Sequence, residues 1–145
     1  RDALKVRLDG WQQDGADRVI YALKGRRIFE GAFRPEAVEA IERHETVVDP
    51  DTDLTWHRVS LDLWVRPEGL IADRQRLWDY AHEMHVASCS TCHSLHHADE
   101  HLANQWIGVV DSMERFITLD KDQTRMLQKY LQMHARDVTE DGHDG

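Results

Sequence analysis

Hydrophobic and polar positions alternate along the first half of the chain and recur at helical spacing along the second. LKVRL, from Leu4, has the period of two expected of a half-buried strand, whose successive side chains point to opposite faces. Turn signals follow at Asp9-Gly10 and Asp14-Gly15. RVIYAL, from Arg18, predicts a second strand, and Lys24-Gly25 the turn leading into RRIFEGAF. Pro35 to His44 predicts a short helix, with proline in its first turn and Ala37, Val38, Ala40 and Ile41 at helical spacing. TWHRVSLDLWV alternates again through Trp56, Val59, Leu61, Leu63 and Val65, with a change of face near Ser60. Short strands joined by turns predict a small barrel- or sandwich-like β-rich unit over residues 1–72.

From Asp73, a predicted N-cap, the period becomes helical. Leu77, Tyr80, Ala81, Met84 and Ser88 share one face of a helix that runs into the two cysteines. A polar loop covers about Ser94 to Ala103, and Asn104 is the predicted cap of a second helix, NQWIGVVDSMERFI. On that helix Trp106, Val109, Val110, Met113, Phe116 and Ile117 form an apolar stripe. Thr118 or Asp120 opens a third helix, on which Met126, Leu127, Tyr130, Leu131 and His134 line up. The predicted fold class is α+β, with a three-helix domain over residues 73–137 and a polar, disordered tail over 138–145. There is no internal repeat.

Composition narrows the partners. Of 145 residues 41% are hydrophobic, enough for a packed core without disulfides. The net charge of -9 argues against nucleic acid, whose phosphates require a basic face, and favours a basic protein partner. Residues 1–74 carry -3 and residues 75–145 carry -6, so the second half is the more acidic. No apolar run approaches the roughly 18 residues that span a bilayer. The chain opens on Arg1 with no signal peptide, and reads as a processed chain or a cut fragment.

Both cysteines and six of the ten histidines fall between Tyr80 and Leu102. The cysteines read Cys89-Ser90-Thr91-Cys92-His93, the pattern of covalent haem attachment. Two thioethers must reach two vinyl groups on neighbouring pyrroles, and a two-residue gap on a helical turn sets the sulfurs that far apart. The next residue then offers its imidazole to the iron. Two other chemistries compete. A zinc site would use Cys89, Cys92 and two nearby histidines. A redox dithiol would use the cysteines alone, but such a pair ordinarily opens a helix after a strand, whereas here a helix runs into it. The adjacent histidine and the flanking helices favour one haem c, with His93 as the proximal iron ligand.

For the distal ligand four methionines are available. Met84 precedes the motif, and Met126 and Met133 lie on the last helix, where methionine commonly fills core gaps. Met113 sits 20 residues past His93 on the apolar stripe and is the preferred distal ligand, because that stripe has little else to face. His85 on the incoming helix, the loop histidines His96, His97 and His101, and the other methionines are the alternatives. His96, His97 and His101 read as solvated loop positions, and His44, His57, His134 and His143 have no partner spacing.

LWDYAHEMHVASCSTCHS followed by ANQWIGVVDSMERFITLDKDQTRMLQKYLQMHA resembles the C-terminal haem domain of the pentahaem c-type cytochromes that serve periplasmic trimethylamine N-oxide and dimethyl sulfoxide reductases. The resemblance extends upstream through VRLDG, VIYALKGRRIF and SLDLWVRPEGL, nearly the whole chain. Cys89, Cys92 and His93 carry over residue by residue, and Met113 stands where such a pattern places a distal methionine. The family's full-length members add four haems and a membrane anchor ahead of this region. The resemblance therefore implies a periplasmic electron carrier, not an enzyme, whose parent protein is anchored to the inner membrane. Its donor would be a quinol-linked, membrane-anchored tetrahaem part and its acceptor a periplasmic molybdenum-containing terminal reductase. The β-rich half, with no redox chemistry of its own, reads as a scaffold or docking surface. Two other readings stay open. One is a haem or zinc module that senses or binds through protein contacts. The other is a small peroxidase, which needs an open distal site that a distal methionine would close.

Overall fold

The computed structural model describes residues 3–89 and 96–141. The chain divides into two compact units, Arg1–Leu70 and Ile71–Gly145. The α+β class expected from the sequence holds, and the β-rich part takes the form of one open five-stranded sheet in the order β3-β2-β1-β5-β4. Its strands are β1 (Leu4–Gln13), β2 (Val19–Leu23), β3 (Arg26–Ala32), β4 (Glu42–Val48) and β5 (Thr55–Val65). The two long strands lie next to each other near the middle of the sheet. They pair antiparallel without interruption from Leu4↔Val65 to Gln13↔Trp56.

That register places Leu8, Val59, Leu61 and Leu63 on one face, where with Ile20, Phe33 and Ile41 they make the core. The other face carries aromatics: Trp11 stands opposite Tyr21, and Tyr21 meets Trp56 edge-on at 5.8 Å. Trp56 and Val59 are both buried yet point to opposite faces, which accounts for the apparent change of face near Ser60.

Asp14-Gly15 and Lys24-Gly25 are turns, with φ of 90° at Gly15 and 76° at Gly25, values that favour glycine. Asp9-Gly10 is not a turn. It lies within β1, opposite Ser60 and Val59. A Cβ on Gly10 would stand 2.6 Å from Ile20 Cγ2 and 2.6 Å from the Tyr21 carbonyl oxygen, so this glycine permits close approach of β2. The helix predicted over Pro35–His44 is also shorter than its pattern. α1 is the single turn Pro35–Val38, and Glu42 onward joins the sheet as β4. An exposed edge strand such as ERHETVV shows no alternation, because neither of its faces is fully covered.

In the second unit α2 spans Arg74–Cys89, α3 Ala103–Met113, α4 Lys121–Met133 and α5 Arg136–Asp141. Asp73 takes the Gln75 N–H at 3.0 Å, as its place before α2 suggested. Asp120 and Gln123 exchange side-chain and backbone bonds of 2.8 and 3.0 Å at the start of α4, a capping box. Asn104 does not cap α3. The helix begins at Ala103, and Gln105 Oε1 takes the Leu102 N–H at 2.8 Å. α4 packs against both α2 and α3. Ala81 and Met84 from α2, Ala103, Trp106 and Val110 from α3, and Leu127 and Leu131 from α4 are the buried apolar residues among the described positions of those helices. α5 extends into the stretch read from sequence as a tail, and its Val138 is buried. Among the described residues no helix is long and apolar enough to cross a membrane.

Candidate functional site

α2 delivers Cys89 at its last position. Cys92 and His93 lie outside the described residues, so the site is built from what flanks them. One turn upstream of Cys89, Met84 and His85 are buried, His85 to 4% exposure. Burial holds the His85 imidazole below its ordinary pKa; the nearby His82, His97 and His96 push the same way, against a hydrogen bond with the His96 backbone. Opposite, on α4, Tyr130 gathers an aromatic cluster. His82 Nδ1 lies 3.0 Å from its hydroxyl, and its ring centroid is 4.5 Å from His134, 5.9 Å from Trp78 and 6.3 Å from His85. Burial and the charge of Asp79 raise the Tyr130 hydroxyl above its usual range. His134 Nδ1 is bonded to the Tyr130 carbonyl at 2.7 Å, so it belongs to this cluster.

Downstream of the motif a 3-10 turn, Ala98–Glu100, leads into α3. His96 and His97 are exposed, as loop histidines should be, and His96 Nδ1 meets Glu100 Oε2 at 2.8 Å, holding that carboxyl below its ordinary range. His101 is not a solvated loop residue. It is half-buried, with its ring edge-on to Trp106 at 4.7 Å. Trp106 Nε1 donates to the Ala98 carbonyl at 2.8 Å. The apolar stripe of α3 is therefore already covered by protein at Trp106 and Val110, and opens toward its end, where Met113 is half-buried and Phe116 is 62% exposed. Cys89 and Met113 thus end two helices that both pack on α4. On α4 the Thr124 hydroxyl is buried with no hydrogen-bond partner. Among the described residues no three His, Cys, Asp or Glu side chains are placed to hold a metal ion.

Two sheet histidines without partner spacing in the sequence do have partners. His57, buried on β5, meets Thr46 Oγ1 at 3.0 Å and Asp14 Oδ1 at 3.1 Å. His44 Nε2 meets Ser60 Oγ at 2.7 Å, and Arg7 donates to the same oxygen at 3.0 Å. The signal for both was strand pairing, which cannot be read where β4 itself is not recognised. His143 lies outside the described residues.

Comparison with known proteins covers both units. A cytochrome c-type protein TorY of Haemophilus influenzae is 36% identical over 137 residues, 94% of this chain and 37% of its own length. TorC of Escherichia coli K12 is 31% identical over 143 residues, 98% of this chain and 37% of its own. The chain is a homologue of the TorC and TorY cytochromes. It spans a little over a third of the length of these relatives. The family model described as the TorC third cytochrome c domain matches residues 1–70, the extent of the sheet unit. That stretch of the TorC/TorY homologue contains no cysteine; both cysteines fall in the helical unit beyond it. No solved structure gives a significant match.

Proposed function

We propose that this chain is an electron-transfer domain carrying one haem c in its helical unit. In this reading it passes single electrons from a quinol-linked tetrahaem donor, anchored in the inner membrane, to a periplasmic molybdenum-containing terminal reductase of the N-oxide or S-oxide type. The observation that carries the reading is the sequence Cys89-x-x-Cys92-His93, opening at the last residue of α2, in a homologue of c-type cytochromes.

The residues present fit such a group. The donor set, two thiols and an adjacent imidazole, is that of a c-type attachment. The helical unit leaves Tyr80 44% and Phe116 62% exposed, apolar surface of the kind a macrocycle covers. The orphaned Thr124 hydroxyl marks a buried donor still in need of an acceptor. A haem held there supplies one-electron chemistry, its potential set by ligands and burial. Cys89 and Cys92 would hold it as thioethers, and His93 and Met113 would offer an imidazole and a thioether to its iron. A thioether favours the ferrous state relative to a second imidazole, which suits the last carrier before an acceptor. The acidic helical half, -6 over residues 75–145, steers a positively charged partner face. The sheet unit, without cysteine, serves as scaffold or docking surface.

The test is the chain matured in an oxidising, haem-supplied compartment. Mass spectrometry after unfolding should find one haem retained, and the visible spectrum should show a low-spin c-type haem in both oxidation states. An unmodified mass would overturn the reading.

A further inference from the structure

We infer that the end of α4 and the start of α5 form a clasp that positions the segment leaving the attachment motif, with Gln132 and Asp137 as positioning residues for the haem; the inference rests on the function proposed above. Its centre is Ala103, which is fully buried. The Ala103 N–H donates to Asp137 Oδ1 at 2.8 Å, and its carbonyl accepts from Gln132 Nε2 at 3.1 Å. Beside it, the Arg136 N–H donates to the His101 carbonyl at 3.2 Å. Trp106 Nε1 holds the Ala98 carbonyl at 2.8 Å. The stretch from Ala98 to Ala103 is thus tied to α3 by Trp106, to α4 by the Gln132 side chain, and to α5 by the Asp137 side chain and the Arg136 backbone.

Gln132 makes the case strongest. It is 1% exposed, on the buried face of the most strongly amphipathic helix, one residue past Leu131. An apolar residue there would pack without desolvating an amide. A buried amide is tolerable when bonded, and the Gln132 Nε2 donates to a backbone carbonyl of the segment downstream of His93. On the upstream side, Ala81, Met84 and His85 fix α2 up to Cys89. The described residues on both sides of the attachment motif, α2 before it and Ala98 to Ala103 after it, are therefore held within the helical unit. Fixing the ends of a segment reduces the conformations open to it. Groups behind a ligand tune a metal by orienting that ligand. The clasp does so by backbone position, one step further out.

A merely structural clasp would change stability and leave the redox properties alone, so the test separates the two in the haem-bearing protein. Gln132→Met keeps the volume and removes the donor. Asp137→Ala removes the acceptor, and Asp137→Asn retains an oxygen that can accept from Ala103. Gln132→Met and Asp137→Ala should keep the haem by mass. They should also shift the oxidised-to-reduced ratio at fixed ambient potential by about threefold or more, less than removal of a direct ligand partner. Their ferric spectra should broaden, and Asp137→Asn should match the wild type. If Gln132→Met does not fold, Asp137→Ala against Asp137→Asn decides alone. Unmoved potential and spectrum in haem-bearing Asp137→Ala would overturn the clasp and leave the proposed function standing. Wild-type chain without haem would overturn both.

Discussion

Replacing Gly10 by alanine should destabilise the sheet unit, although in sequence the position reads as a turn glycine. The backbone there does not need glycine, since Gly10 is absent from the positive-φ positions. Alanine therefore meets only a steric question. Its Cβ would lie 2.6 Å from Ile20 Cγ2 and 2.6 Å from the Tyr21 carbonyl oxygen, whereas carbon contacts settle near 3.5–4.0 Å. Ile20 is fully buried and has no room to swing aside, and the carbonyl belongs to the β2 backbone. The overlap of about 1 Å must be relieved by parting β1 from β2, at roughly 1–3 kcal/mol for overpacking of this kind. Against this, Gly→Ala at a compatible position gains about 0.4–1 kcal/mol by restricting the unfolded chain. Taking the middle of each range, the net loss is about 1.3 kcal/mol, or roughly 5–10 °C in the melting temperature of a unit this size. Thermal unfolding followed by near-ultraviolet circular dichroism reads it directly, because Trp11 and Tyr21 sit on these two strands and Trp56 on the adjoining β5. Adding Ile20→Leu, which removes Cγ2, should return part of the loss. A Gly10→Ala protein as stable as wild type or more so would refute the close-approach argument.

Three further outcomes follow from the same residues. Folding lowers the His85 pKa, so the unfolded chain binds more protons in the window from about 6.5 down to the folded value; the His85 contribution is complete above about 6.5 and declines as pH falls through that window. Denaturant titrations of His85→Gln should show a flatter stability-against-pH curve than wild type there, and parallel curves would count against it. Met113→His should keep the haem and lower its potential by at least about 59 mV, a tenfold change in the one-electron ratio, whereas Met113→Ala should admit cyanide; a spectrum untouched by Met113→Ala would move the ligand elsewhere. Stopped-flow electron delivery to a terminal reductase should slow as ionic strength rises, given the -6 charge of residues 75–145; salt-independent rates would remove the electrostatic argument for docking.

Legibility differed between the two halves for physical reasons. Helical periods are long and capped, so α2 and α4 were readable with their caps Asp73 and Asp120. Both of those caps bond through their own side chains, which is the feature sequence reveals. α3 starts without a side-chain cap at Leu102, and Asn104 was the wrong residue to seize on. In the sheet, β1, β2, β3 and β5 each announced themselves by alternation or apolar content. β4 did not, because its partner is β5 on one side only and its side chains face solvent. A glycine after aspartate is a turn only where the neighbouring strand leaves room, and Gly10 depends on Ile20 and Tyr21 in a way no local window contains. At the candidate site, Cys-x-x-Cys-His stands out as a string, and of its residues Cys89 alone lies among the described ones. The Gln132 and Asp137 bonds to Ala103 were not legible, since they span 29 and 34 residues and have no spacing rule.

The pairing of Leu4 with Val65 also governs the order in which the chain can fold. β1 is made first, yet it lies inside the sheet, and its long partner β5 is the last strand of its unit. Nothing emerging between them can complete the sheet, so the unit must wait until Val65 is available. Contacts so distant in sequence make folding slow, in the millisecond-to-second range of sheet proteins at roughly this size. Cys89 and Cys92 follow shortly after Val65 in the chain. If Cys89 and Cys92 take the haem proposed above, they would emerge for attachment at about the time the sheet can close, and attachment and sheet closure would then fall within a single interval.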